Sequence, residues 1–174
     1  MDISSFLETH LGTIEGWCDK DKAMKLYELI TEIKPSLCVE IGVFGGSSLL
    51  PQALALKHNN KGVIVGIDPW SNSCAIEAME NAANKNWWGN VNLDAVYDKF
   101  LDKLKLYEVK DFVQIHRNKS SEVVNRFDNN IFHETMLIVK VILSWKVIEV
   151  SIGSHVSLPR TEEVLDKQSL SQAR

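Results

Sequence analysis

The sequence predicts a three-layer α/β sandwich with a mostly parallel sheet and an incomplete or atypical C-terminal half. Three observations predict it. Short, nearly continuous apolar runs stand at Leu37–Ile41 and Val63–Ile67, helical spacing of apolar residues surrounds them, and this alternation is lost beyond Asp128. The 174 residues, 45% of them apolar, suffice for one continuous core. With no repeat and no linker, a single domain over residues 1–174 is expected.

Ala23, Leu26, Tyr27, Ile30 and Ile33 mark one buried helical face, with Asp19 and Asp21 as cap-like acids before it and Lys34-Pro35 as its stop. Leu37–Ile41 reads as a strand buried on both faces. Ser47 to Lys57 suits a helix with Pro51 near its first turn, Asn59-Asn60-Lys61-Gly62 a turn, and Val63–Ile67 a second strand ending at Asp68. Such a unit of roughly thirty residues needs a crossover and closes right-handed, so its strands are parallel neighbours.

Pro69 to Asn92 has mixed periodicity and holds Trp70, Trp87 and Trp88. Leu93, Val96, Tyr97, Phe100, Leu101 and Leu104 then mark an amphipathic helix, Phe112–His116 a third strand, and Val123, Val124 and Phe127 a short helix. This alternation is that of a doubly wound, Rossmann-like fold. Met136 to Ile152 departs from it: rich in β-branched residues without a turn signal, it predicts one overlong strand, a helix of poor propensity, or two strands with no marked break. Thr161 to Leu165 reads as a last helical turn.

A net charge of −4 gives no electrostatic reason to expect a nucleic-acid surface and favours a small-molecule or protein partner. Cys18, Cys38 and Cys74 are odd in number and unpaired in spacing, which fits a reducing cytoplasm. The N-terminal residues do not read as a signal peptide, and Lys140, Lys146 and Glu149 interrupt the longest apolar region, so no membrane segment is expected. His116 and His133 lack a partner at metal-ligand spacing and read as structural; no metal site is expected.

The chemistry concentrates in Val39–Ser48, VEIGVFGGSS. A phosphate loop of the nucleoside-triphosphate type ends in Gly-Lys-Ser/Thr, and this turn has no lysine. A dinucleotide turn requires G-x-G-x-x-G, whereas here Gly42 is followed by Gly45 and Gly46. Glu40 would repel a diphosphate and favour a ligand bearing an ammonium or sulfonium group. Asp68, at the end of the second strand, is placed to accept hydrogen bonds from two ribose hydroxyls, and Trp70 offers an aromatic face for adenine or a cation.

Together, VEIGVFGGSS and GIDPW resemble the class I S-adenosylmethionine-dependent methyltransferases, in particular the small-molecule branch whose first motif reads acid-x-Gly-x-x-x-Gly-x-Ser. The resemblance runs from about Ala23 to Phe127, so residues 1–128 correspond to the cofactor-binding half and 129–174 to an atypical tail. It implies S-adenosylmethionine as cofactor and a small-molecule methyl acceptor. It further implies that Glu40, Gly42, Phe44, Gly46 and Ser47 line the methionyl part, that Asp68 binds the ribose beside Pro69 and Trp70, and that Ser120 flanks the adenine.

The resembling family continues from the fourth strand into an acidic loop such as Asp-Gly-x-His, where this chain reads Asn129-Asn130-Ile131-Phe132-His133-Glu134-Thr135-Met136. No catalytic base is therefore assigned. A reading-frame change in the gene near codon 133 is one account of the departure, a short paralogue or divergent terminus another. With at most five strands where the family uses seven, uncovered faces favour weak stability or a homodimer. The alternatives to an active methyltransferase are a truncated, non-catalytic relative and an NAD-dependent oxidoreductase.

Overall fold

The computed structural model describes residues 2–77, 79–123, 136–141 and 148–153. Helix α1 (Ile3–Thr9) starts at Asp2, whose side chain accepts the Ser5 N–H, and it buries Phe6 and Leu7. A 3-10 turn at Leu11–Thr13 leads to α2 (Lys20–Ile33), where Asp19 caps the first turn by accepting the Lys22 N–H. The helix buries Ala23, Leu26 and Ile30 and stops at a left-handed Lys34. Strand β1 (Leu37–Ile41) follows, then α3 (Leu49–Asn59) and β2 (Val63–Ile67). Leu49 to Leu56 are all buried, and Gln52 is the one polar residue among them.

Two short helices, α4 (Asn72–Ile76) and α5 (Ala82–Asn90), precede the amphipathic α6 (Leu93–Leu106). Then come β3 (Val113–His116), α7 (Ser120–Val123), β4 (Met136–Val141) and β5 (Ile148–Gly153). The sheet order is β3-β2-β1-β4-β5. β1 pairs parallel with both β2 and β4, β2 pairs parallel with β3, and β5 runs antiparallel to β4. The chain thus reverses its direction of strand addition between β3 and β4, which opens a crevice at the carboxyl ends of the central strands.

Alternation along the strands divides the core. Cys38 and Ile64 join the larger cluster with α2, α3 and α6, while Val39, Val65 and Ile67 pack on the other face with Val123 of α7. This is the doubly wound, Rossmann-like arrangement the sequence predicts. Both expected strand boundaries, Leu37–Ile41 and Val63–Ile67, agree with the structure.

Two parts differ or resolve an ambiguity. The N-terminal segment contributes a helix and four buried apolar residues, Phe6, Leu7, Leu11 and Ile14, to the main cluster. Of the three readings of Met136 to Ile152, the antiparallel pair β4–β5 is the one adopted. The expected helical residues Val124 and Phe127, the departing motif at Asn129–Thr135 and the helical turn at Thr161 to Leu165 lie outside the described residues.

Candidate functional site

A cavity of about 330 Å³ opens at the carboxyl ends of β1 and β2. Its floor is Ile41 of β1 and Gly42 just after it, with Ile67 of β2 and Asp68 just after it; Cys74, Ala75 and Glu77 form one wall, and Lys119, Ser120 and Ser121 another. Phe44, Trp88 and Leu93 close the apolar side. The volume and the mixture of apolar walls with a few convergent polar groups are those of a small-ligand site.

Asp68 organises the floor. Its Oδ2 accepts the Phe44 N–H at 3.0 Å and its Oδ1 accepts the Trp70 N–H at 2.8 Å. Phe44 and Trp70 both adopt left-handed backbone, φ 51° and 41°, a conformation that costs a bulky residue energy unless its surroundings hold it. The Trp70 indole N–H donates to the Phe44 carbonyl at 2.9 Å, so both polar groups of that peptide position are fixed. Burial pushes the Asp68 carboxyl upward, opposed by the backbone N–H donors of Trp70, Phe44 and Val43 and by Arg117. A carboxylate oxygen can accept more than one hydrogen bond, so these N–H groups do not by themselves exhaust the acceptor capacity of Asp68.

Of the eight residues the sequence singles out, Gly42, Phe44, Asp68 and Ser120 line this cavity. The other four sit behind it. Glu40 is fully buried and turned toward α3, where it accepts hydrogen bonds from Ser48 Oγ at 2.9 Å and from the Gln52 amide. Desolvation raises its pKa to about 8 against the lowering effect of the Ser48 and Gln52 hydrogen bonds, so burial favours the neutral acid over a standing negative charge. The physical reason is strand alternation: Glu40 shares the inward face of Cys38, not the open end of the strand.

Gly46 has φ +85°, and a Cβ there would lie 2.5 Å from the Phe100 ring, so this glycine lets α6 close against the turn. Ser47 is buried and accepts the Cys18 N–H at 3.4 Å. Trp70 does not offer its ring to the cavity. The indole is 2% exposed, stacked on Phe100 at 5.9 Å and packed on Tyr97 at 4.7 Å, because α6 supplies its apolar partners.

Sequence reasoning singles out Trp88 without assigning it to the cofactor site, and it misses Leu93, Cys74 and the ion pair between Glu77 and Lys119, which joins two walls of the cavity at 2.5 Å. The Asn72 side chain donates to the carbonyls of Trp88 and Val91 and so fixes α5 beside the site. Cys18 and Cys38 have thiols pushed up to about 12 by burial and by nearby Glu40, which makes them inert packing groups. Among the described residues no group of three or more His, Cys, Asp or Glu is placed to hold a metal ion.

Residues 39–138 match a family described as a methyltransferase domain, and more than half of the chain lies within the match. The chain belongs to that family. No curated protein matches it significantly. Among solved structures it is similar to the O-methyltransferase TomG from Streptomyces achromogenes, involved in tomaymycin synthesis and solved in complex with S-adenosylmethionine. Identity is 18%, coverage 73% of this chain and 47% of TomG, and the TM-score 0.48. It is also similar to the Podospora anserina methyltransferase PaMTH1, solved bound to S-adenosylhomocysteine, with 12% identity, coverage of 70% and 41%, and a TM-score of 0.47. The chain spans less than half the length of each of these two proteins.

Proposed function

We propose that this member of the methyltransferase family binds S-adenosylmethionine in the cavity at the ends of β1 and β2 and transfers its methyl group to a small-molecule acceptor. The observation that carries the reading is Asp68, a carboxylate that lines the cavity while anchoring the turn after β1. When bound, the cofactor supplies a sulfonium methyl that moves to an oxygen, nitrogen or carbon nucleophile as the carbon–sulfur pair returns to sulfur and the acceptor gives up a proton.

The chain's own residues have simpler tasks. Asp68 takes the ribose hydroxyls; the turn from Gly42 to Phe44 borders the methionyl part; Ser120 flanks the adenine. Glu40, Gly46, Ser47 and Trp70 shape that turn from behind. Much of the catalysis in such a reaction comes from aligning two reactants, so a rigid turn matters more than any single charge. Residues 1–128 provide the cofactor half of one domain, and residues 129–174 an atypical tail.

A cytoplasmic location is supported by three free cysteines. No described helix is long and apolar enough to cross a membrane. A thermal-shift titration with S-adenosylmethionine, S-adenosylhomocysteine and NAD tests the reading: the two sulfur ligands are expected to raise the melting temperature and NAD to leave it unmoved. Stabilisation by NAD alone would favour the dinucleotide alternative, and binding without turnover over a broad acceptor panel would favour a non-catalytic relative.

A further inference from the structure

Beside the cavity lies an aromatic cluster that cofactor binding does not explain. Trp17 stacks on Phe44, with ring centroids 5.2 Å apart and planes 25° from parallel. Trp87 and Trp88 meet edge-to-face at 4.8 Å, and both contact Trp17 and Phe44. Phe44 and Trp88 are buried and line the cavity, whereas Trp17 and Trp87 are each 47% exposed. Two adjoining half-exposed indoles continuous with a ligand cavity are unlike a lone surface tryptophan.

The backbone holds both indoles in place. The segment carrying Trp17 lies directly on the glycine turn: a Cβ on Gly45 would come within 2.2 Å of the Glu15 carbonyl oxygen, and the Cys18 N–H reaches Ser47 Oγ. Glu15 is fastened to α6 by Lys99 at 2.8 Å and Lys103 at 3.7 Å. On the other side, Asn72 Nδ2 donates to the Trp88 carbonyl at 2.7 Å and the Val91 carbonyl at 2.8 Å, which fixes the end of α5. Aromatic walls held this way bind a flat partner at low entropic cost.

We propose that Trp17 and Trp87 form the landing surface for a planar, uncharged aromatic methyl acceptor, whose reactive edge points toward the cavity that Phe44 and Trp88 line. This rests on the methyl-transfer reading above. A flat ring is favoured over a cationic acceptor because the carboxylate of the same segment, Glu15, is already neutralised by two lysines. Flat rings stack on indole faces, and saturated rings of equal size do not match them.

The test measures binding of 2-naphthol and of its saturated counterpart, decahydro-2-naphthol, to wild type, Trp17→Leu and Trp87→Leu, with S-adenosylhomocysteine affinity measured in parallel. Leucine keeps the apolar cover over Phe44 and removes only the indole. The expected result is one 2-naphthol per chain, binding about tenfold tighter than the saturated alcohol and about fivefold or more weaker in each variant, with S-adenosylhomocysteine binding unchanged. Equal binding of the two alcohols, absence of 2-naphthol binding, or unaltered binding in both variants overturns the proposal while leaving cofactor binding intact. Sedimentation adds a fourth outcome: a wild-type dimer that both variants dissociate would assign the indoles to a second copy of the chain and overturn the acceptor surface. Failure of S-adenosylhomocysteine to bind wild type overturns the cofactor reading, and the acceptor assignment with it, whatever the aromatic result.

Discussion

Asp68 accepts the backbone N–H of Phe44 at 3.0 Å, tying the end of β2 to the turn that follows β1. Its second oxygen holds the N–H of Trp70, so one carboxylate secures two left-handed residues in two loops. Asp68→Asn keeps the shape but replaces one acceptor oxygen with an N–H donor facing a backbone N–H. Faster amide hydrogen exchange is predicted over residues 43–46 and at Trp70, with helix α2 unaffected. Uniform exchange across both loops in the variant and the wild type would show that the turn is held by other means.

Gly46 answers to α6 rather than to a ligand. Alanine there must adopt φ +85° and must move the Phe100 ring, from which its Cβ would be 2.5 Å away. Gly46→Ala is predicted to destabilise the fold by about 1–3 kcal/mol in urea unfolding. Phe100→Leu in the same chain should recover part of that loss, a coupling that a double-mutant cycle detects. Strictly additive effects would count against the contact as the cause.

Glu40 predicts a dependence of stability on pH. Its pKa is raised from 4.5 to about 8 on folding, mainly by burial. Between those values the folded chain keeps a proton that the unfolded chain has lost, so stability falls as pH rises through that window, by up to about 1.4 kcal/mol per pH unit, and this group adds no slope outside it. Glu40→Gln cannot titrate, so relative to wild type it should gain stability steadily from pH 5 to pH 8 in urea unfolding. Parallel profiles for the two proteins would refute the burial of a protonated acid.

Asn72 is predicted to matter more than a half-buried polar residue usually does. Asn72→Ala leaves the carbonyls of Trp88 and Val91 without their side-chain donor. A cost of about 1–2 kcal/mol is expected, with faster hydrogen exchange confined to residues 82–91. Exchange that rises throughout the domain would mean that α5 does not open separately from the rest.

The β1 and β2 strands were legible because a strand buried on both faces writes itself as a continuous apolar run, and Asp68 was legible because it ends the second run. Trp70 was not: the fate of its ring depends on Tyr97 and Phe100, nearly thirty residues later, which no local pattern connects to it. Glu40 was placed at the right strand end but on the wrong side, since only the packing of α3 brings Ser48 and Gln52 to its carboxyl. The role of Trp17 is not written in its segment, which has no periodicity; its position follows from a close backbone approach at Gly45. The antiparallel pairing of β4 and β5 likewise depends on contacts across the sheet, without a turn signal to announce it.

The central claim is that the cavity floored by Asp68 receives an adenosyl ligand, and calorimetric titration of the full chain with S-adenosylhomocysteine tests it most directly. One site per chain is predicted, with Asp68→Ala weakening binding by about 1–3 kcal/mol through loss of charge-assisted hydrogen bonds to the ribose. No binding to wild type, or an affinity that the substitution leaves unchanged, would contradict the account.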